Sequence, residues 1–411
     1  MSTVKMKTCR RFELDVERFP AVVIESDDWG AAEVVPRSEL CETVSKLTPS
    51  GPVYCKLESA EELNALYQVL EKHQGKDGLP PVVTAFTSVA NPDFDKIRAN
   101  GFTRYEDIAI DEGFPPGWDG SKLIETYRSG MERGVWAPEY HANLHHTSPV
   151  LWFELLKEDS PKGENARKLF ELNCYSQVHH LPEYTGYTTE EVKATIALGF
   201  DRFERIFGYR PTACVTSDAF PETVGLWAAA GAKAACLVNF RDNDGTVVYY
   251  KTKPWNFQDP GARSGDYDVE KDIIYLTRNV WFDLAGMEYV KGVPAEEAFE
   301  VTLNNFKLYQ DPAIVQMHRI NFSAYPASSA LPRLAELDKY FTMLKAHGVY
   351  FLTTGELANL YYQGYSERKV PGGTLIRKWN ICDFAAKNVL DLDSGKMVDV
   401  NENTVGNFLQ K

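Results

Sequence analysis

The chain has 411 residues, 44% of them hydrophobic, and carries 44 Lys and Arg against 58 Asp and Glu, a formal net charge of −14. That length and apolar content suffice to bury one large domain with elaborated loops, or two domains. The acidic balance, with a pI near 5.2, argues against nucleic acid or an anionic membrane as principal partner, because both call for a basic surface.

Seven cysteines (Cys9, Cys41, Cys55, Cys174, Cys214, Cys236 and Cys382) are scattered, odd in number and without a C-x-x-C pair. They read as reduced, mostly core thiols rather than a disulfide framework or a cysteine zinc site. The N-terminal M-S-T-V-K-M-K-T-C-R-R-F lacks the apolar run of a signal peptide. No segment approaches the roughly 18 apolar residues of a membrane span, so the expected location is the cytoplasm.

In chain order, Ala21 to Ile24 predicts a short buried strand that ends at Asp27 and Asp28 within A-V-V-I-E-S-D-D-W-G. Adjacent carboxylates repel and are costly to desolvate, so such an end needs a cation, a tight turn or water to receive the charge. Residues 31–58 are mixed and turn-rich. Ser59-Ala60-Glu61-Glu62 is a capping-box pattern, after which Leu63, Leu66, Tyr67 and Leu70 share one helical face. Pro81 to Ala90 predicts a second strand that breaks at Asn91-Pro92. Residues 92–130, punctuated by Pro115-Pro116-Gly117-Trp118, read as a loop insertion over one end of a barrel.

Trp136 to His146 runs into Ser148-Pro149, the N-cap and first position expected for a helix containing Leu151, Phe153, Leu155 and Leu156. Its histidines therefore fall between a strand and a helix. Thr188 to Glu191 is a second capping box, and Val192, Ile196, Phe200, Phe203 and Phe207 keep helical spacing up to Gly208. Further strands are expected at Tyr209 to Val215, Ala234 to Asn239, Asp272 to Thr277, Ala313 to His318 and Val349 to Thr354, with a helix from about Pro332 to His347 closing at Gly348. Alternating strands and helices indicate α/β architecture with parallel strands, in which ligands sit at the carboxyl ends. The tail from about Gly364 reads as a small β appendage, dividing the chain into residues 1–363 and 364–411.

Four polar clusters occupy predicted strand ends: Asp27-Asp28, His141 with His145 and His146, Arg210, and His318. In a parallel barrel these ends converge on one face. His141-x3-His145 has the spacing with which two imidazoles reach one metal ion, and an aspartate as third ligand leaves a position open for water, the pattern of catalytic zinc. Singly, each cluster has a plainer reading: an acidic turn, loop histidines, an ion-paired surface arginine, a satisfied core histidine. Their joint occurrence in this order favours a site.

These same residues resemble the motifs of the NodB-like polysaccharide deacetylase superfamily, metal-dependent carbohydrate esterases and amidases on a distorted (β/α) barrel. Ser26-Asp27-Asp28-Trp29-Gly30 is similar to the family's T-F-D-D-G, His141-Ala142-Asn143-Leu144-His145 to its H-[ST]-x-x-H, Arg210-Pro211-Thr212-Ala213 in part to R-x-P-[YF], and Val315-Gln316-Met317-His318 to L-x-H. The family's fourth motif, an aspartate with a nearby tryptophan, is not located. The resemblance implies Asp27 as general base oriented by Arg210, Asp28, His141 and His145 as metal ligands with His146 a competitor for His145, and His318 as general acid. It further implies a divalent cofactor, zinc foremost with cobalt, manganese or nickel as alternatives.

The substrate so implied is an acetylated carbohydrate, or a small cyclic amide as hydrolysed by relatives. A carbohydrate-binding protein without turnover is the competing class. Trp29, Trp118, Trp136 and Trp255 are candidate sugar-stacking rings if exposed, and core residues otherwise; His179-His180 either line the pocket or are polar loop residues.

Overall fold

The computed structural model describes residues 8–10, 14–32, 40–47, 56–145, 147–175, 183–216, 221–238, 263–285, 292–325, 327–370, 373–377, 389–391 and 396–398. After the short strand β1 (Thr8–Arg10) comes β2 (Ala21–Trp29), all nine of whose residues are buried. That burial is what a central parallel strand covered on both faces requires, and it extends the expected apolar run through both aspartates. Helix α1 (Cys41–Leu47) follows, then α2 (Ala60–Glu71), which starts at the Ser59–Glu62 capping box and buries Leu63, Leu66, Tyr67 and Leu70.

Strand β3 (Val83–Ser88) leads into a segment that is more ordered than its turn-rich sequence suggests. β4 (Ala90–Pro92) pairs antiparallel with β5 (Asp107–Ala109), and α3 (Phe94–Ala99) lies between them. The Asp93 carboxylate caps α3, and Phe94 and Ile97 pack with Trp152 and Phe170 in a second, smaller core. Helix α4 (Leu123–Glu132) ends the segment ahead of β6 (Trp136–Ala142).

Ser148 and Pro149 start α5 (Pro149–Lys157) as expected, and α6 (Pro161–Glu171) follows. α7 (Thr189–Phe207) opens on the Thr188–Glu191 capping box and closes at a left-handed Gly208. The next strand, β7 (Ala213–Cys214), is only two residues long. Pro211 has no N–H to give, and the N–H groups of Thr212 and Ala213 donate to Glu139 Oε2 at 2.8 and 2.9 Å instead of to a ladder.

Beyond it lie α8 (Pro221–Ala230), β8 (Ala234–Val238), β9 (Asp266–Asp268), β10 (Ile273–Arg278), β11 (Val280–Trp281), α9 (Ala295–Asn304), β12 (Ala313–His318), α10 (Ala330–His347), β13 (Tyr350–Leu352) and α11 (Thr354–Gln363). Two antiparallel pairs, Ser366–Val370 with Gly373–Arg377 and Val389–Asp391 with Lys396–Val398, lie off the main sheet. Among the described residues no helix is long and apolar enough to cross a membrane, and Cys41, Cys174, Cys214 and Cys236 are buried.

The main sheet runs β1-β9-β10-β8-β7-β6-β3-β2-β12-β11, with β13 beside the first part of β2. Every pairing from β10 through β8, β7, β6, β3 and β2 to β12 and β11 is parallel. One residue, Asn279, separates β10 from β11, so a nearly continuous run pairs first with β8 and then with β12. Asn279 secures the crossover: its N–H donates to Ile314 O at 3.0 Å and its side-chain oxygen accepts from Ile314 N at 2.9 Å. The two ends of the parallel sheet are thereby joined into a distorted (β/α) barrel whose strand ends meet on one face.

Gly30 closes the turn after β2. Its φ is +77°, and a Cβ there would lie 2.6 Å from the carbonyl oxygen of Ser88. Gly30→Ala is therefore expected to lower stability by about 2 kcal/mol or more, from a strained backbone and a clash with main chain. Urea denaturation checks this; an unchanged midpoint would show that the turn can relax.

Candidate metal and acid–base centre

Successive residues of a strand point to opposite faces, so Asp27 and Asp28 would normally diverge. They do not, because β2 breaks its register with β3 between Ser26 and Trp29 and Asp28 takes φ +76°. Aspartate tolerates this left-handed conformation better than most residues, although it costs on the order of 1–2 kcal/mol. The result is that both carboxylates reach into one cluster of three histidines. Asp28 Oδ1 lies 2.8 Å from His145 Nε2 and 3.7 Å from His141 Nε2, while Asp27 Oδ2 lies 3.9 Å from His318 Nε2.

His141 is supplied by the end of β6 and His145 by the turn that precedes α5. The two rings meet edge to face at 4.7 Å. One ligand atom from each of Asp28, His141 and His145 falls within 4.8 Å of the others, and all three residues are buried. Asp28 Oδ1 is buried without a hydrogen bond of acceptable geometry among the described residues. Leaving such an atom unsatisfied is costly, and a cation between the three groups would satisfy it. One carboxylate and two imidazoles are a donor set that fits a divalent ion with a position left open.

Electrostatics point the same way. Burial alone would raise the Asp28 carboxyl, but His145, with His318 and His141 behind it, holds it well below the usual carboxylate range. His141 is pushed below the ordinary imidazole range by burial and then by His145, which favours the neutral form that a metal ligand needs.

Asp27 is held by a different arginine from the one expected. Arg278, at the end of β10, donates from Nη1 and Nη2 to the two Asp27 oxygens at 2.5 and 2.7 Å, and from Nε to Glu25 Oε2 at 2.5 Å. Thr354 Oγ1 donates to the other Glu25 oxygen at 2.7 Å. Burial would raise the Asp27 carboxyl, yet Arg278, helped by His141 and His318, brings it below its ordinary value. Arg210 does not reach Asp27. It follows the left-handed turn at Gly208, which folds it back on the end of α7, where it pairs with Asp201 at 2.8 Å and Glu204 at 3.4 Å with 45% of its side chain exposed. The surface ion-pair reading of Arg210 is the one the geometry supports.

His318 ends β12. Its Nδ1 bonds to Asp283 Oδ2, and its backbone N–H donates to Asp283 Oδ1 at 2.9 Å. Burial would lower the imidazole, but Asp283 and then the more distant Asp28 and Asp27 push it up to about 9. The Trp281 ring lies 5.7 Å from that of His318. Asp283 and Trp281 are thus an aspartate and a tryptophan beside the candidate acid, the combination that the sequence left unlocated. A usable signal was present: I-I-Y-L-T-R is an apolar run that ends in a cation, and N-V-W-F-D follows at once.

Two of the candidate sugar-stacking rings prove to be core. Trp29 and Trp136 are fully buried against each other, 4.6 Å apart and edge to face, and Trp118 is partly buried against the same core. His146, His179, His180 and Trp255 lie outside the described residues.

No protein-family profile matches the chain, and no curated protein matches it. Solved structures do. The chain is similar to an allantoinase, at 12% identity and TM-score 0.41 over 85% of this chain and 93% of that one. It is similar also to a peptidoglycan deacetylase of Bacillus subtilis, at 12% identity and TM-score 0.32 over 83% of this chain and 91% of that one. A third is a 4-alpha-glucanotransferase of Thermococcus litoralis, at 10% identity and TM-score 0.41 over 88% of this chain; only 42% of that longer protein is covered.

The two arginines give opposite expectations. Arg210→Ala removes an exposed pair and should change stability by less than about 1 kcal/mol. Arg278→Ala leaves two buried carboxylates without their cation and should cost about 3–5 kcal/mol. Urea denaturation of the two variants checks this, and equal effects would contradict it.

Proposed function

We propose that the protein is a metal-dependent hydrolase that removes an acyl group, N-acetyl foremost, from a carbohydrate. The observation that carries this reading is the gathering of Asp28, His141 and His145 beside an Arg-held carboxylate and an Asp-held imidazole. Asp28, His141 and His145 would hold the ion. A divalent ion there, zinc foremost, supplies Lewis acidity towards an acyl carbonyl and makes water a stronger acid.

The remaining roles fall to the chain. Asp27 is the general base: Arg278 fixes both of its oxygens and keeps it ionised, ready to take a proton from attacking water. His318 is the general acid: Asp283 keeps it protonated and fixes its Nδ1, so that Nε2 is the atom free to deliver a proton to the leaving amine or alcohol. Two groups whose surroundings drive their pKa values apart make the pair of assignments natural. A binding module has no need of a held base and a held acid on opposite protonation states.

The burial of Trp29 and Trp136 removes two sugar-stacking rings, which keeps hydrolysis of a C–N bond in a small cyclic amide as a second reading. Both readings are tested by screening the zinc-loaded protein for acetate release from N-acetylated sugars and for ring opening of cyclic amides. Asp27→Asn should reduce turnover by about 100-fold or more while bound metal stays near the parent level. Loss of metal together with activity would overturn the assignment of Asp27 as base.

A further inference from the structure

Asp28 and the two histidines His141 and His145 come from different strands, and each strand end leaves its regular ladder beside them. β2 shifts its register with β3 between Ser26 and Trp29, and β3 shifts its register with β6 between Thr87 and Ser88. The three residues that follow β3, namely Val89, Ala90 and Asn91, hydrogen-bond to both ligand-bearing turns.

The backbone N–H groups of Val89 and Ala90 donate to Ala142 O at 3.2 Å and to Asn143 O at 3.0 Å, the two residues that follow His141. These bonds are main chain and owe nothing to the side chains of Val89 and Ala90. Asn91, fully buried, reaches the other turn with its side chain: Oδ1 accepts from Ala32 N at 2.6 Å, and Nδ2 donates to Gly30 O at 2.9 Å. With the amide reversed, donor would face donor and acceptor would face acceptor, so this orientation is the one that satisfies both groups. The Tyr175 hydroxyl donates to the same Oδ1 at 3.3 Å, and Gly30 N donates to Glu58 Oε1 at 2.9 Å. A side chain thus supplies what a neighbouring strand would otherwise supply, two residues beyond the left-handed Asp28.

We propose that Asn91 is a positioning residue for the metal centre: it ties the Asp28 turn to the turn that carries His141 and His145, so that the three ligand groups are held within reach of one ion. The inference rests on the reading of Asp28, His141 and His145 as metal ligands. Asn91 acts on them through main chain, not through their side chains. Without the tie the ion itself would have to order the Asp28 turn, at a cost to affinity.

The test is titration of the full-length protein with zinc against a competing chelator, together with the visible spectrum of the cobalt-loaded protein, which reports ligand geometry. Asn91→Ala should weaken zinc about tenfold or more and alter the cobalt spectrum. Should that variant not fold, Asn91→Ser, which can keep one of the two bonds, takes its place with an expected loss of about threefold or more. The control is Thr302→Ala, which removes an equally buried hydrogen bond of 2.6 Å to the Tyr340 hydroxyl between α9 and α10. It should lower stability and leave zinc affinity and the cobalt spectrum at parent values. Parent-like affinity and spectrum in the Asn91 variant would overturn the inference alone. An equal loss of zinc affinity in Thr302→Ala would overturn it too, since affinity would then follow global stability. A parent that takes up neither zinc nor cobalt would overturn the metal-site reading and the inference with it.

Discussion

A guanidinium buried to 1% exposure holds the end of β2 together. Glu25, Asp27 and Asp28 place three carboxylates within four residues of one buried strand, and a strand end so charged is untenable without compensation. Arg278 takes two of them, leaving Asp28 to the histidines and to any ion they share with it. Which carboxylate the arginine reaches thus decides which one is tethered and which one is left to the histidines. The arrangement also requires the left-handed turn at Asp28, since a regular strand would send the second carboxylate away from the first.

Arg278 can reach β2 only because the barrel closes where it does. β10 pairs with β8, Asn279 switches the chain to β12, and β12 pairs with β2 in a register that sets His318 against Asp27. The same crossover places Trp281 and Asp283 beside His318. Arg278 at the end of β10, Asp283 just past β11 and His318 at the end of β12 are therefore brought together, and the Asp27 carboxylate and the His318 imidazole are each fixed by a partner of opposite charge. Glu139 shows what happens without one. Although it accepts from two backbone N–H groups, burial and nearby Glu25 push its carboxyl up to about 8.

Much of the fold was legible because its signals are local. The capping boxes at Ser59 and Thr188, the Ser148-Pro149 start of α5 and the left-handed glycines at Gly208 and Gly348 stand where their side-chain chemistry puts them. The Asp28, His141 and His145 group was legible because motif spacing fixes which residues lie at strand ends. Arg278 and Asp283 were not, because their roles depend on a strand crossover about 250 residues beyond Asp27, and nothing near Arg278 in sequence records its partners. Arg210 misled for the complementary reason: its R-P-T-A context resembles a motif, but the turn that precedes it directs the side chain back to the helix it has just left. The strand expected around it shrank for a local reason, the missing N–H of Pro211 and the demand of Glu139 for the next two.

Whether Asp28, His141 and His145 hold a divalent ion, as proposed, is decided by the metal content of the purified protein beside an Asp28→Ala, His141→Ala double variant. Near-stoichiometric zinc or another divalent ion is expected in the parent after supplementation, and little in a variant that retains its fold by circular dichroism. A parent that takes up no metal would contradict the proposal, and so would a folded double variant that binds as much as the parent.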